Sequence, residues 1–128
     1  MEALAIVTTL SLLQLVYFGL QVGSARQKHG VSAPTTSGHD VFERYHRVHQ
    51  NTMEQLIVFL PALWMFGYFI EPYWASMIGL VFVLSRLVYG RAYVKDPKSR
   101  SGAFGVGFMA MAILLAGSVI GAVMHWMD

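Results

Sequence analysis

The chain has 128 residues, 55% of them hydrophobic and 12% charged, with no cysteine and a formal net charge of +2. Soluble domains carry about a quarter charged residues, so composition excludes a water-coated globule, and the missing cysteines exclude disulfides, zinc–thiolate centres and a cysteine nucleophile. The basic residues flank apolar segments instead of forming one exposed stripe, which argues against a nucleic-acid partner.

The first apolar run covers residues 3–25, roughly 34 Å of helix against a hydrocarbon core of about 30 Å. Met1–Ala5 contains no Lys or Arg, so the run reads as a retained membrane helix and not as a signal peptide. It stops at Arg26-Gln27-Lys28-His29, before a loop containing Gly30, Pro34, Thr35, Thr36, Ser37 and Gly38. The second run, Leu56–Ile70, is shorter than the roughly 20 residues a span needs. Its helix must reach back through Glu54 and Asn51 to about residue 42, giving a helix over 42–70 with Pro61 as a candidate kink. Glu71-Pro72 ends it.

The third segment, 73–94, is clean only to Ser85, which places Arg86 within the span. A polar turn follows, Lys95-Asp96-Pro97-Lys98-Ser99-Arg100. The fourth segment, 102–126, contains no Asp, Glu, Lys or Arg. Its small residues Gly102, Gly105, Ala110, Gly117 and Gly121 are expected to permit close helix contacts. The expected fold is all-α: one integral membrane four-helix bundle, a single domain over residues 1–128.

Every Lys and Arg lies in or near the first loop, the third loop or the adjoining helix ends. The positive-inside rule then places those loops in the cytoplasm, and both termini and the second loop on the opposite side, where Tyr73, Trp74 and Trp126 suit an aromatic belt.

A charge within a span costs about 2.5–3.5 kcal/mol at the helix centre, so Glu54 and Arg86 are expected to face the protein interior and find partners, a structural ion pair between the two being one alternative reading. Arg44, Arg47, Asn51 and Glu54 are spaced 3, 4 and 3 apart and share one helix face. Arg86, Tyr89 and Tyr93 share another, and Arg26 and Arg100 close the same end. The expected result is a cytoplasmic-side pocket of arginines, a buried carboxylate, an amide and two phenols. Arginines grip carboxylates through paired hydrogen bonds, and a buried Glu holds an ammonium group. The matching ligand is small, zwitterionic and peptide-like, with a lipid-open apolar surface beside it for a hydrophobic second substrate. The histidines His29, His39, His46, His49 and His125 form no evident metal set.

Phe42-Glu43-Arg44 followed by Arg47, Asn51 and Glu54, and Arg86-Leu87-Val88-Tyr89 followed by Tyr93, Arg100 and Ser101, resemble the family of membrane-associated proteins in eicosanoid and glutathione metabolism. The resemblance runs from about Tyr17 to Gly105. It implies a homotrimer of four-helix subunits with glutathione bound between neighbours; the histidine pattern gives no reason to expect a metal. By position, Arg26, Arg47, His49, Asn51, Glu54, Tyr89 and Tyr93 resemble glutathione-binding residues, with Arg44 and Arg86 in supporting roles. Arg100 resembles the arginine that holds the thiol as thiolate; a nearby guanidinium favours that charged form, and the thiolate is the nucleophile. Gln27 stands where leukotriene-forming members have a second arginine, and Gln55 where they have a tyrosine. The third loop is more similar to that of a microsomal glutathione transferase. The implied activity is conjugation of glutathione to lipophilic electrophiles, or reduction of lipid hydroperoxides. Two other readings are a non-catalytic lipid-binding scaffold of the same family and a small four-helix multidrug exporter. The exporter reading lacks its acid, because residues 3–25 contain none.

Overall fold

The computed structural model describes residues 1–128. Four helices make up the fold: α1 Glu2–His29, α2 Asp40–Phe69, α3 Pro72–Lys95 and α4 Ser101–Met127, with a 3₁₀ turn at Pro97–Arg100 between the last two. All four helices are long and apolar enough to cross a membrane, as expected of an integral membrane bundle.

The breaks between helices have local causes. Gly30 takes a left-handed conformation (φ 68°) and ends α1, where a side chain bearing Cβ would be strained. The His39 side chain accepts from the Val41 N–H to cap α2. Glu71 does the same for Tyr73, with Pro72 in the first turn of α3, a position where proline costs no hydrogen bond. Two boundaries differ from the sequence expectation. Helix α1 continues through Arg26–His29, because cations at a helix C-terminus face the negative end of its dipole. Helix α2 begins at Asp40 and runs unbroken through Pro61.

Contacts fix the helices as antiparallel neighbours. The start of α1 meets the end of α2, where Leu4 packs on Gly67. The end of α4 reaches the same place, with Gly121 against Phe69 and Ile70. At the other end, Arg44 of α2 donates to the carbonyls of Val94 and Lys95 at the end of α3. The two longer connections therefore share one end of the bundle. The main core lies between the helices and includes Leu4, Val7, Phe59, Leu63, Phe82 and Leu114, with the Phe59 and Phe82 rings stacked at 4.0 Å. Only 30 of 128 residues are buried, so the outer faces, with Leu20 and Ile57 about 70% exposed, are left for lipid or for other subunits.

Glycines set how closely the helices approach. A Cβ on Gly79 of α3 would lie 2.8 Å from Val7 Cγ1 and 2.9 Å from Leu63 Cδ1, at the α1–α2–α3 contact. Gly117 and Gly121 similarly meet α2 side chains, in keeping with their expected role. Gly102 and Gly105 differ: a Cβ on either meets nothing within 4 Å, so no close helix contact depends on them. Gly79→Val is therefore expected to cost about 1–3 kcal/mol through overpacking, read as a lowered melting temperature in detergent. Gly102→Ala is expected to be neutral or stabilising by up to about 1 kcal/mol, the helix-propensity difference.

Candidate functional site

A cleft of about 350 Å³ opens near the basic end of the bundle, lined by Arg47, Asn51, Tyr89, Tyr93, Arg100, Ser101 and Phe104. Helix α2 supplies the first two, α3 the tyrosines, the 3₁₀ turn Arg100, and α4 the last two. Three stretches distant in sequence, 47–51, 89–93 and 100–104, thus converge on one cavity, of a size suited to a small ligand.

Each wall has a structural reason. Pro97 and the Asp96 side chain, which accepts from the Lys98 N–H at 3.1 Å, start the 3₁₀ turn. The Ser99 hydroxyl hydrogen-bonds to the Asp96 and Ala92 carbonyls at 2.7 and 3.0 Å, tying the turn to the end of α3. Arg100 donates to the Pro97 carbonyl at 3.1 Å, and its guanidinium lies 5.7 Å from the Tyr93 ring centre. Tyr89 and Tyr93, one helical turn apart, stack at 5.8 Å, and Phe104 lies 6.0 Å from Tyr89.

Behind the cleft lies Arg86, only 2% exposed. Its Nη2 donates to Asn51 Oδ1 at 2.7 Å and to Thr52 Oγ1 at 2.9 Å. Its guanidinium covers the Tyr89 ring at 4.2 Å, a cation–π contact. Because Asn51 Oδ1 is occupied, the amide nitrogen is the group left for a ligand. Arg86 therefore orients an amide and a phenol from behind.

The Glu54–Arg86 ion pair, one alternative the sequence left open, does not form. Glu54 is exposed on the protomer, and the structure holds no salt bridge between it and Arg86. The cause is helical geometry. Thr52, fully buried, points to Arg86; Glu54 follows two residues later, about 200° further round the helix. The expected buried carboxylate is absent, and neutral oxygens partner the buried guanidinium.

Three other predicted residues lie outside the cleft. Arg26 donates to the Ser32 and Thr35 carbonyls at 3.4 and 2.6 Å and covers the Phe42 ring at 4.8 Å, which holds the first loop. His49 faces α1, where its Nε2 would lie 3.3 Å from a Cβ on Gly19; it is on the opposite side of α2 from Arg47 and Asn51. Arg44 pairs with Asp40 at 3.0 Å and clamps the end of α3. Thr52 and Phe104 were missed in the sequence. Thr52 had a visible signal as a hydroxyl beside Asn51 within a span, and Phe104 stands one turn beyond Arg100.

The model of the MAPEG family matches residues 4–120. Bovine microsomal glutathione S-transferase 2 is 35% identical over 125 residues, covering 98% of this chain and 86% of the relative. Guinea-pig (Cavia porcellus) leukotriene C4 synthase is 36% identical over 124 residues, covering 97% and 83%. An uncharacterised protein from Synechocystis is 37% identical over 116 residues, covering 91% and 85%.

Proposed function

The chain belongs to the MAPEG family, and from that premise we propose that it is a membrane glutathione transferase acting on lipophilic electrophiles. The observation that carries this reading is the convergence of Arg47, Asn51, Tyr89, Tyr93 and Arg100 on one cleft. Glutathione is a peptide with two carboxylates and a thiol. Arg47 offers a guanidinium for a carboxylate, the Asn51 amide offers a donor for a peptide carbonyl, and the tyrosines supply flat walls and hydroxyls. Arg100 is the cation for the sulfur.

In this mechanism the glutathione thiol gives its proton to water, and Arg100 stabilises the thiolate left behind. The thiolate sulfur then bonds to the electrophilic carbon. In a conjugate addition the displaced π pair moves to the adjacent carbon, which takes a proton from water. Reduction of a lipid hydroperoxide is a second reaction open to the same thiolate.

The reading includes a homotrimer. Glu54 is an exposed carboxylate on a spanning helix, and lipid is a costly neighbour for it. A second copy seated on this face removes that cost and brings a further set of side chains to the edge of the cleft; Arg26, His49 and Glu54, which the protomer keeps apart from the cleft, are assigned there. The positive-inside rule gives the orientation, with cleft and basic loops in the cytoplasm.

Titration of the purified protein with glutathione tests the assignment. Saturable binding is expected at or below millimolar concentration. Arg47→Ala should weaken it about tenfold, the loss of one charge-assisted hydrogen bond. A parent protein that fails to bind millimolar glutathione would favour the lipid-binding scaffold instead.

A further inference from the structure

Arg91 and Lys95 stand one turn apart on α3, about 200° round the helix from Tyr89 and Tyr93, so they turn away from the polar cleft. On α1, Tyr17, Gln21, Ser24 and Lys28 are spaced 4, 3 and 4 apart and share one face, opposite that of Arg26. These two faces meet. A cavity of about 240 Å³ lies between α1, α2 and α3, with Tyr17, Gln21, Tyr45, Leu87, Arg91 and Lys95 in its wall. A second, of about 230 Å³, is lined in part by Ser24 and Lys28 and shares Gln21 and Tyr45 with the first. Neither cavity shares a residue with the cleft.

The joined cavity has the chemistry of an anion site. Lys28, Arg91 and Lys95 border it, and no Asp or Glu does. The acids at this end have other partners: Asp40 pairs with Arg44, Glu43 accepts from the Gly38 N–H, and Asp96 accepts from the Lys98 N–H. Lys28, Arg91 and Lys95 take part in no salt bridge. The Tyr17 hydroxyl accepts from Gln21 Nε2 at 3.1 Å, which leaves its own hydrogen to donate.

Depth separates the cations from that hydroxyl. Helix α3 has 24 residues, roughly 36 Å against a hydrocarbon core of about 30 Å, so Arg91 and Lys95 near its end reach headgroup level. Leu87, in the same wall as Tyr17, is about 12 Å of helix below Lys95. One turn deeper on the same two faces, Leu13 and Leu84 are 58% and 60% exposed. The positive-inside rule accounts for cations at this end of the bundle. It does not account for a cavity beneath them with a hydrogen-bonded tyrosine and glutamine in its wall.

We propose that this cavity binds an anionic glycerophospholipid of the surrounding bilayer. The phosphate sits against Arg91, Lys95 and Lys28, an ester carbonyl accepts from the Tyr17 hydroxyl, and the acyl chains run down past Leu87 towards Leu13 and Leu84. A free phosphate would leave the deep hydroxyl and the apolar strip unused. The lipid is a bound ligand and not the electrophile, because Arg91 and Lys95 face away from the cleft. The assignment is independent of the glutathione reading.

Native mass spectrometry of the full-length protein in detergent tests it, with phosphatidylglycerol and phosphatidylcholine of identical acyl chains added in turn. Phosphatidylglycerol should bind about tenfold more tightly than phosphatidylcholine. Arg91→Gln and Lys95→Gln should each weaken phosphatidylglycerol about fivefold, the worth of one cation at a membrane surface, and leave phosphatidylcholine nearly unchanged. Lys98→Gln removes the same charge from a residue that lines neither cavity and should change neither lipid. Tyr17→Phe should weaken both lipids by a similar factor, since both carry the ester carbonyl. Equal affinity for the two lipids in the parent, or a loss in Lys98→Gln as large as in Arg91→Gln, overturns the site. Displacement of phosphatidylglycerol by millimolar inorganic phosphate would make this a site for a soluble anion and also overturn the lipid assignment.

Discussion

Arg100→Ala is expected to lower turnover about a hundredfold, with the glutathione dissociation constant changed less than about threefold. The magnitude is that of removing one preorganised charge-stabilising donor from an active site. The split between rate and affinity follows from position. Arg100 is exposed on the 3₁₀ turn and borders the cleft alongside Arg47 and Asn51, so the peptide part of the ligand retains its partners on α2. What disappears is the cation that favours thiolate. Raising the pH should recover part of the lost rate, because the thiol then ionises without help. Arg100→Lys should fall between, since an ammonium keeps the charge but lacks the planar fork. Steady-state kinetics with a compact electrophile, beside a glutathione titration, checks the prediction; equal losses in affinity and rate would make Arg100 a binding residue only.

Arg86→Leu should act differently, lowering both stability and glutathione affinity. The guanidinium is buried and donates to Asn51 and Thr52. Each hydrogen bond to a charged group is worth about 1.5–3 kcal/mol, so removing both costs about 3 kcal/mol or more, seen as a large drop in melting temperature. The ligand effect comes through Asn51 and Tyr89, which Arg86 fixes from behind; a roughly tenfold rise in the dissociation constant is expected once they are free to move. Thr52→Val separates the two effects. It deletes the 2.9 Å bond and leaves the 2.7 Å bond to Asn51, so stability should fall while glutathione affinity stays near that of the parent. If Thr52→Val weakens binding as much as Arg86→Leu, Arg86 is a fold residue with no separate positioning role.

Helix number and membrane class were legible because apolar runs of spanning length leave few alternatives, and Glu71-Pro72 separates α2 from α3 where expected, whereas α1 runs on to Gly30 past its expected end. The grouping of Tyr89 with Tyr93, and of Arg47 with Asn51, was legible from spacing alone. Spacing could not tell which way a face points. Arg44, Arg47, Asn51 and Glu54 do share a stripe, but its ends serve different purposes: Arg44 clamps α3, and Glu54 leaves the protomer altogether. The partners of Arg86 turned out to be Asn51, on that stripe, and the fully buried Thr52, off it and without charge. A search for opposite charges passes over it. Arg100 had no periodic signal, being in a turn; charge placed it at the same end as the pocket, and only the family resemblance gave it a role. The glycines of α4 were equally opaque, since Gly117 against Phe66 and Gly105 against open space look the same as letters.

The central claim is that this cleft binds glutathione and turns its thiol into thiolate. Ultraviolet difference absorbance in the thiolate band tests it most directly, recorded at neutral pH as glutathione is added to the purified protein. A saturable thiolate signal, present in the parent and lost in Arg100→Ala, is the predicted result. Glutathione that binds without a thiolate signal, or does not bind at millimolar concentration, would contradict it.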